Sequence, residues 1–196
     1  MFPDRLNPDR WEQGSEFHLM DYRSQYVPKN PWDNDCLFMG AGRDAICILL
    51  RHGIHQRGWL RFWIPGYLCP EIAQSIVSTG ITVMVYDNNP FRVFDEWDRL
   101  TLQKGDAIFV VNYFGIGVQP DLTNINSNKV EIVEDHTHDP WSDWSWSSKA
   151  DWCIASLRKT LPIPDGGVLW SPRSHTLPST VVFTTERKIA SLEMMP

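Results

Sequence analysis

The sequence predicts an α/β fold: a mostly parallel central sheet of about seven strands flanked by helices. Three observations predict it. Apolar runs of strand length recur from residue 36 to residue 171. Several are apolar on both faces, the pattern of strands buried between two layers. Between them stand segments of helical periodicity or of helix length.

Residues 1–34 are rich in Pro, Asp, Arg and Asn and read as an extended arm. CLFMG (36–40) is a short apolar run ending in glycine. GRDAICILLRHG (42–53) has apolar residues at 45, 46, 48, 49 and 50 and then a glycine stop, which predicts a buried helix. RFWIP (61–65) is a strand closed by proline. PEIAQSIVSTG (70–80) is an amphipathic helix with Pro at its start and Gly at its end. TVMVYD (82–87) is a β-branched strand, and DAIFVVNYFG (106–115) opens with another. VEIVEDH (130–136), DWCIAS (151–156) and GGVLWS (166–171) complete the set. The globular unit therefore runs over 35–183. The last stretch, 184–196, reads as the start of a connecting helix with Thr185 as a candidate cap. No internal repeat interrupts this order.

Composition narrows the function. Of 196 residues, 42% are hydrophobic and 21% charged, which is globular. A formal net charge of -6 lacks the basic field that nucleic acid or an anionic membrane surface attracts. No apolar run approaches a membrane-spanning length of ~20 residues, and the N-terminus has no secretory pattern. Four scattered cysteines read as reduced thiols of a cytoplasmic protein. Ten tryptophans are many; the stretch DPWSDWSWSSKAD (139–151) suits either the lining of a substrate pocket or a cover for the sheet, and the cover is the expected role.

Open α/β sheets bind ligands beyond the carboxyl ends of their strands. The polar residues that follow each strand are the candidates. Gly40, Ala41 and Gly42 let a backbone approach an anion at a helix N-terminus, although a glycine turn before a helix is also ordinary packing. Asp135 is placed to pair with a protonated ring nitrogen, or to serve as a loop acid. With His136 and His138 it also offers a metal-type set, which lacks a further ligand group at convincing spacing. Lys159, three residues after Ser156, stands at the sheet's carboxyl edge. There its amine can attack an aldehyde, given burial near cations and an apolar wall to unprotonate it. A solvated Arg158–Lys159 pair is the plainer alternative.

The order and spacing of these elements form a set. GAGRDAI (40–46), WIPGYLCPEIA (63–73), VVNYFG (110–115), IVEDHTH (132–138) and SLRKTLPIPDGG (156–167) resemble fold-type I pyridoxal-phosphate enzymes. The resemblance is nearest to the DegT/DnrJ/EryC1/StrS sugar aminotransferases and covers residues 36–172. It implies the large domain of a transferase that moves an amino group from a small-molecule donor to a keto acceptor, possibly a nucleotide sugar. It implies that Lys159 forms the Schiff base with pyridoxal 5'-phosphate and that Asp135 holds the pyridine nitrogen protonated. Gly42 and Arg43 amides, with Ser156, would hold the phosphate. His138 would sit near the phenolic oxygen, Asn112 matches a middle-strand position, and Tyr67 is the candidate to stack on the ring. No metal is implied. A homodimer is, because family sites lie between subunits.

Some residues depart from the family pattern. Ser156 and Lys159 stand two residues closer than in the sugar aminotransferases, a spacing other fold-type I branches use. Arg43 and Asp44 replace smaller residues, and Cys69 occupies the place of a stacking aromatic. The chain stops where a C-terminal domain would begin. This leaves a second reading, an inactive or truncated member serving as a structural or partner-binding subunit.

Overall fold

The computed structural model describes residues 30–179, apart from 33–34, 93–95, 117–118, 122–124, 126–129, 162 and 164. The expected arm up to residue 29 and the helix expected at 184–196 lie outside the described residues. Where the arm's end is described, Trp32 is buried, with ring centroids 5.7 Å from Trp141 and 5.2 Å from Trp170.

The elements are β1 (Cys36–Met39), α1 (Gly42–His52), β2 (Arg61–Pro65), α2 (Pro70–Val77), β3 (Thr82–Tyr86), β4 (Asp106–Val111), β5 (Glu131–Asp135), α3 (Asp143–Ser147), β6 (Trp152–Ser156) and β7 (Gly167–Trp170). The strands form one sheet in the order β1-β7-β6-β5-β4-β2-β3. Strands β2 to β6 pair in parallel, whereas β7 runs antiparallel to both β6 and β1. The expected mostly parallel seven-stranded sheet is the observed one. Reversal of β7 matters for the site, because it brings Met39 and Ser156 both opposite Gly167 at the same sheet edge.

The predicted stop of α1 at Gly53 is not where the chain ends its winding. A wider turn continues over Gly53–Arg57 and closes at Gly58, whose φ is +73°. Gly53 serves packing instead, since a Cβ there would stand 2.0 Å from the Trp59 ring. Helix α2 stops three residues early. Ser78 and Thr79 hydroxyls donate to Ser75 and Ile76 carbonyls, and Gly80 turns the chain at φ +82°.

Strand alternation divides the core into two layers. On one face Phe62, Phe109, Val133, Trp152 and Ile154 meet the buried stripe of α1 (Ala45, Ile46, Leu49, Leu50) and Ile76 of α2. On the other face Ile108, Val110, Ile132 and Cys153 pack in one layer with Trp63 and Trp170 of the sheet and with Trp32, Trp97 and Trp144. The described parts of the long connections on that side hold short turns rather than long helices. Large indoles fill the layer there, and Trp144, from the 139–151 stretch, is one of them.

Candidate functional site

A cavity of about 430 Å³ opens at the carboxyl edge of the sheet, between the N-termini of α1 and α2. Gly42, Arg43, Tyr67, Asp135, His138, Ser156 and Lys159 all line it. Its size lies within the ~300–1,000 Å³ usual for small-molecule sites.

Alternation explains which residues reach it. In β5, Val133 and Asp135 face the α1 side, while Ile132 and Glu134 face the tryptophans. In β6, Ile154 and Ser156 share the side of Asp135. Asp135 is buried, and its Oδ1 accepts the Thr137 N–H at 2.9 Å. Thr137 Oγ1 in turn accepts the Ser156 N–H at 3.0 Å, which ties the ends of β5 and β6 together. No other group among the described residues donates to the Asp135 carboxylate, so Oδ2 is left to the cavity side.

The α1 end has the features of an anion cradle. Its N-cap is Ala41, whose methyl caps nothing, and the amides of Gly42 and Arg43 find no acceptor among the described residues. Such orphan donors, with the positive end of the helix dipole, suit a phosphate. Gly42 has no room for a side chain: a Cβ would lie 2.9 Å from Ser156 Cβ. Gly167 is closer still, with its Cβ position 2.3 Å from the Ala41 carbonyl oxygen. The Asp165–Gly166–Gly167 turn thus lies hard against the glycine loop, and Gly166 N–H donates to Gly40 O at 2.7 Å.

Lys159 sits in the short turn Leu157–Lys159 directly after β6. It is exposed, as the solvated Arg158–Lys159 alternative has it, and it lines the cavity. Half-buried Arg158 beside it also lines the cavity and supplies nearby positive charge.

His138 Nδ1 accepts the Phe114 N–H at 2.9 Å. Burial pushes the His138 pKa below its ordinary value; the Asp135 charge opposes this and the Lys159 charge adds to it. Tyr67 stands at the exposed rim, edge-on to Tyr113 at 5.8 Å. Tyr113 Oη donates to the Tyr67 carbonyl, and burial first of all raises its pKa to about 12.

Asn112 is not brought to the cavity. It is wholly buried on the tryptophan side, where its Nδ2 donates to Ser142 Oγ at 2.9 Å and lies 3.4 Å from His136 Nδ1. His136 is buried there too, with Nε2 3.0 Å from Glu134 Oε2. The metal-type set Asp135, His136 and His138 is therefore split between the two faces. A different trio, Glu134, His136 and Cys153, brings donor atoms within 4.8 Å of one another. Burial and then the Glu134 charge push the Cys153 thiol well up, which suits a hydrogen-bonded core cluster. The four cysteines are free thiols, and no described helix is long and apolar enough to cross a membrane.

Thr137, Phe114 and Glu71 are cavity residues that escaped the sequence reading. Thr137 was signalled by D-x-T at a strand end, the pattern of a side chain that caps the backbone two residues on. Tyr113 and Phe114 follow β4 in a tight turn, and Phe114 has a left-handed backbone. Arg43 and Glu71 pair at 3.5 Å between α1 and α2, both largely exposed.

No family model matches the chain, and no curated protein does. Solved structures match its fold. Helicobacter pylori PseC, an aminotransferase involved in the biosynthesis of pseudoaminic acid, is 18% identical with a TM-score of 0.60, over 72% of this chain and 41% of that one. A DegT DnrJ EryC1 StrS aminotransferase from Brucella abortus is 17% identical with a TM-score of 0.56, over 72% and 42%. 3-Amino-5-hydroxybenzoic acid synthase is 15% identical with a TM-score of 0.58, over 80% and 41%. The chain thus has the fold of this group of enzymes, the one its motifs resemble, and spans about two-fifths of their length.

Proposed function

We propose that this chain builds the pyridoxal-phosphate-binding part of an aminotransferase that acts on a small-molecule amino donor and a keto acceptor. The observation that carries the proposal is the convergence of Asp135, Ser156, Lys159 and the open amides of α1 on one cavity. The donor set fits the cofactor. The unshared amides of Gly42 and Arg43, with Ser156 Oγ, would hold a phosphate in a cradle that a Cβ on Gly42 would fill. Asp135, buried and with Oδ2 uncommitted, would hold a proton on a ring nitrogen. When bound, pyridoxal phosphate supplies an electron sink for charge developing at a substrate carbon. Lys159 would supply the amine that condenses with a carbonyl carbon, its oxygen leaving as water, and that takes and returns a proton. Tyr67 offers an aromatic rim. The resemblance extends the proposal to a cytoplasmic homodimer, and a nucleotide sugar is the acceptor class it suggests.

Titration of the purified chain with pyridoxal phosphate tests this. A long-wavelength absorbance band, fixed by borohydride as added mass on Lys159 and absent in Lys159→Ala, is the expected result. No band and no added mass would overturn it. The exposure of Lys159 favours one second reading, a partner-binding subunit of the same fold. It predicts no absorbance band, or added mass on Lys159 without amino transfer from any donor.

A further inference from the structure

We infer that Phe114 is a positioning residue: its backbone N–H fixes the tautomer of His138, so that Nε2–H is presented to the cavity as a hydrogen-bond donor. Only the identity of the acceptor, an oxygen of the bound cofactor, rests on the proposed function.

Phe114 has φ 60° and ψ 7°. A bulky aromatic in this left-handed region is uncommon, and such conformers persist where the surroundings enforce them. Here the surroundings are visible. Gly115 follows at φ +68°, and a Cβ on it would stand 2.4 Å from Asp139 Cβ, so the turn is seated tightly against the segment carrying His138. This backbone aims the Phe114 N–H at His138 Nδ1, 2.9 Å away. An acceptor nitrogen needs its lone pair, so the neutral ring carries its proton on Nε2.

The ring itself is also held. The Phe114 and His138 rings lie parallel within 3°, with centroids 5.6 Å apart, and Phe91 stacks on Phe114 at 5.6 Å and 21°. The hydrogen bond sets the tautomer and the stack sets the ring plane. Asp135 and Lys159, of opposite charge, are the ionisable groups that act on His138 from the cavity.

The test is two-bond ¹⁵N–¹H correlation spectroscopy of the ligand-free protein, with His138 assigned by His138→Gln. The wild type should show an unprotonated Nδ1 and a protonated Nε2. Phe114→Gly keeps the amide and accepts the left-handed backbone, so it should keep that pattern. Phe114→Val resists that backbone and should give a mixture of tautomers, with the rest of the amide spectrum unchanged. A protonated Nδ1 in the wild type, or a wild-type pattern in Phe114→Val, would overturn the inference. Adding pyridoxal phosphate separates the two claims. A shift of the Nε2 signal supports the cofactor as acceptor, while no shift refutes the cofactor reading and leaves the ligand-free result to judge Phe114.

Discussion

Gly42→Ala is the most direct probe of the cradle. The new methyl would stand 2.9 Å from Ser156 Cβ, 3.3 Å from its Cα and 3.4 Å from its N. These atoms belong to the end of β6 and not to a flexible side-chain tip, so they yield little. Restoring ordinary contact requires α1 to retreat by about 0.5 Å, and overpacking of this kind costs ~1–3 kcal/mol. The helix resists, because Ala45, Ile46, Leu49 and Leu50 are fully buried beneath it. The higher helix propensity of alanine offsets at most ~1 kcal/mol. Urea unfolding should therefore show a lower midpoint at unchanged slope, by ~1–2 kcal/mol. The retreat also draws the Gly42 and Arg43 amides from the anion, and loss of one charge-assisted hydrogen bond weakens pyridoxal phosphate binding by roughly tenfold or more. Adding Ser156→Gly removes the nearest contact, and the pair should couple by at least ~0.5 kcal/mol in stability. Wild-type midpoint and affinity in Gly42→Ala would refute the reasoning.

Three further outcomes are expected. Asp135→Asn retains the Oδ1 acceptor for Thr137 N–H and should change stability little, yet lower amino transfer by about two orders of magnitude; single-turnover assays check this. His138 and His52 are both pushed down, first by burial, so the folded protein favours their neutral forms. As pH falls below ~6.5 the unfolded chain takes up protons first. Stability should therefore drop from there down through the lowered folded values, and urea midpoints across pH should show a shallower drop in His138→Gln. Tyr113→Phe removes the donor to the Tyr67 carbonyl and should cost ~1 kcal/mol by thermal unfolding. The raised Tyr113 pKa keeps that donor protonated throughout the neutral range.

Much of this architecture was legible because it rests on simple periodicities. The run of β4 is buried at every position, which only a strand covered on both sides can be. The set Gly42, Asp135, Ser156 and Lys159 could be placed together because each follows or ends a strand at the same sheet edge. Asn112 was assigned by motif when the pleat already opposed it. It shares parity with Ile108 and Val110, whose side chains meet the tryptophans. The same count separates Glu134 and His136 from Asp135. The sequence leaves open whether Lys159 is buried or solvated, since that depends on what packs over a turn rather than on the turn itself. Nor was the left-handed Phe114, because no local rule puts a phenylalanine there. Its conformation follows from contacts with His138 and Asp139, distant in the chain.

The edge that carries the glycine loop also has a timing. Met39 pairs with Gly167, and Gly166 N–H closes onto Gly40, across about 130 residues of chain. On a ribosome, α1 emerges early, yet the strand that braces its first turn is among the later described segments to appear. A nascent chain stopped before residue 166 would carry the lysine and the aspartate but no rigid seat for a phosphate. The seat for an anion at the start of α1 is thus completed by β7, a strand far along the chain from the helix it braces.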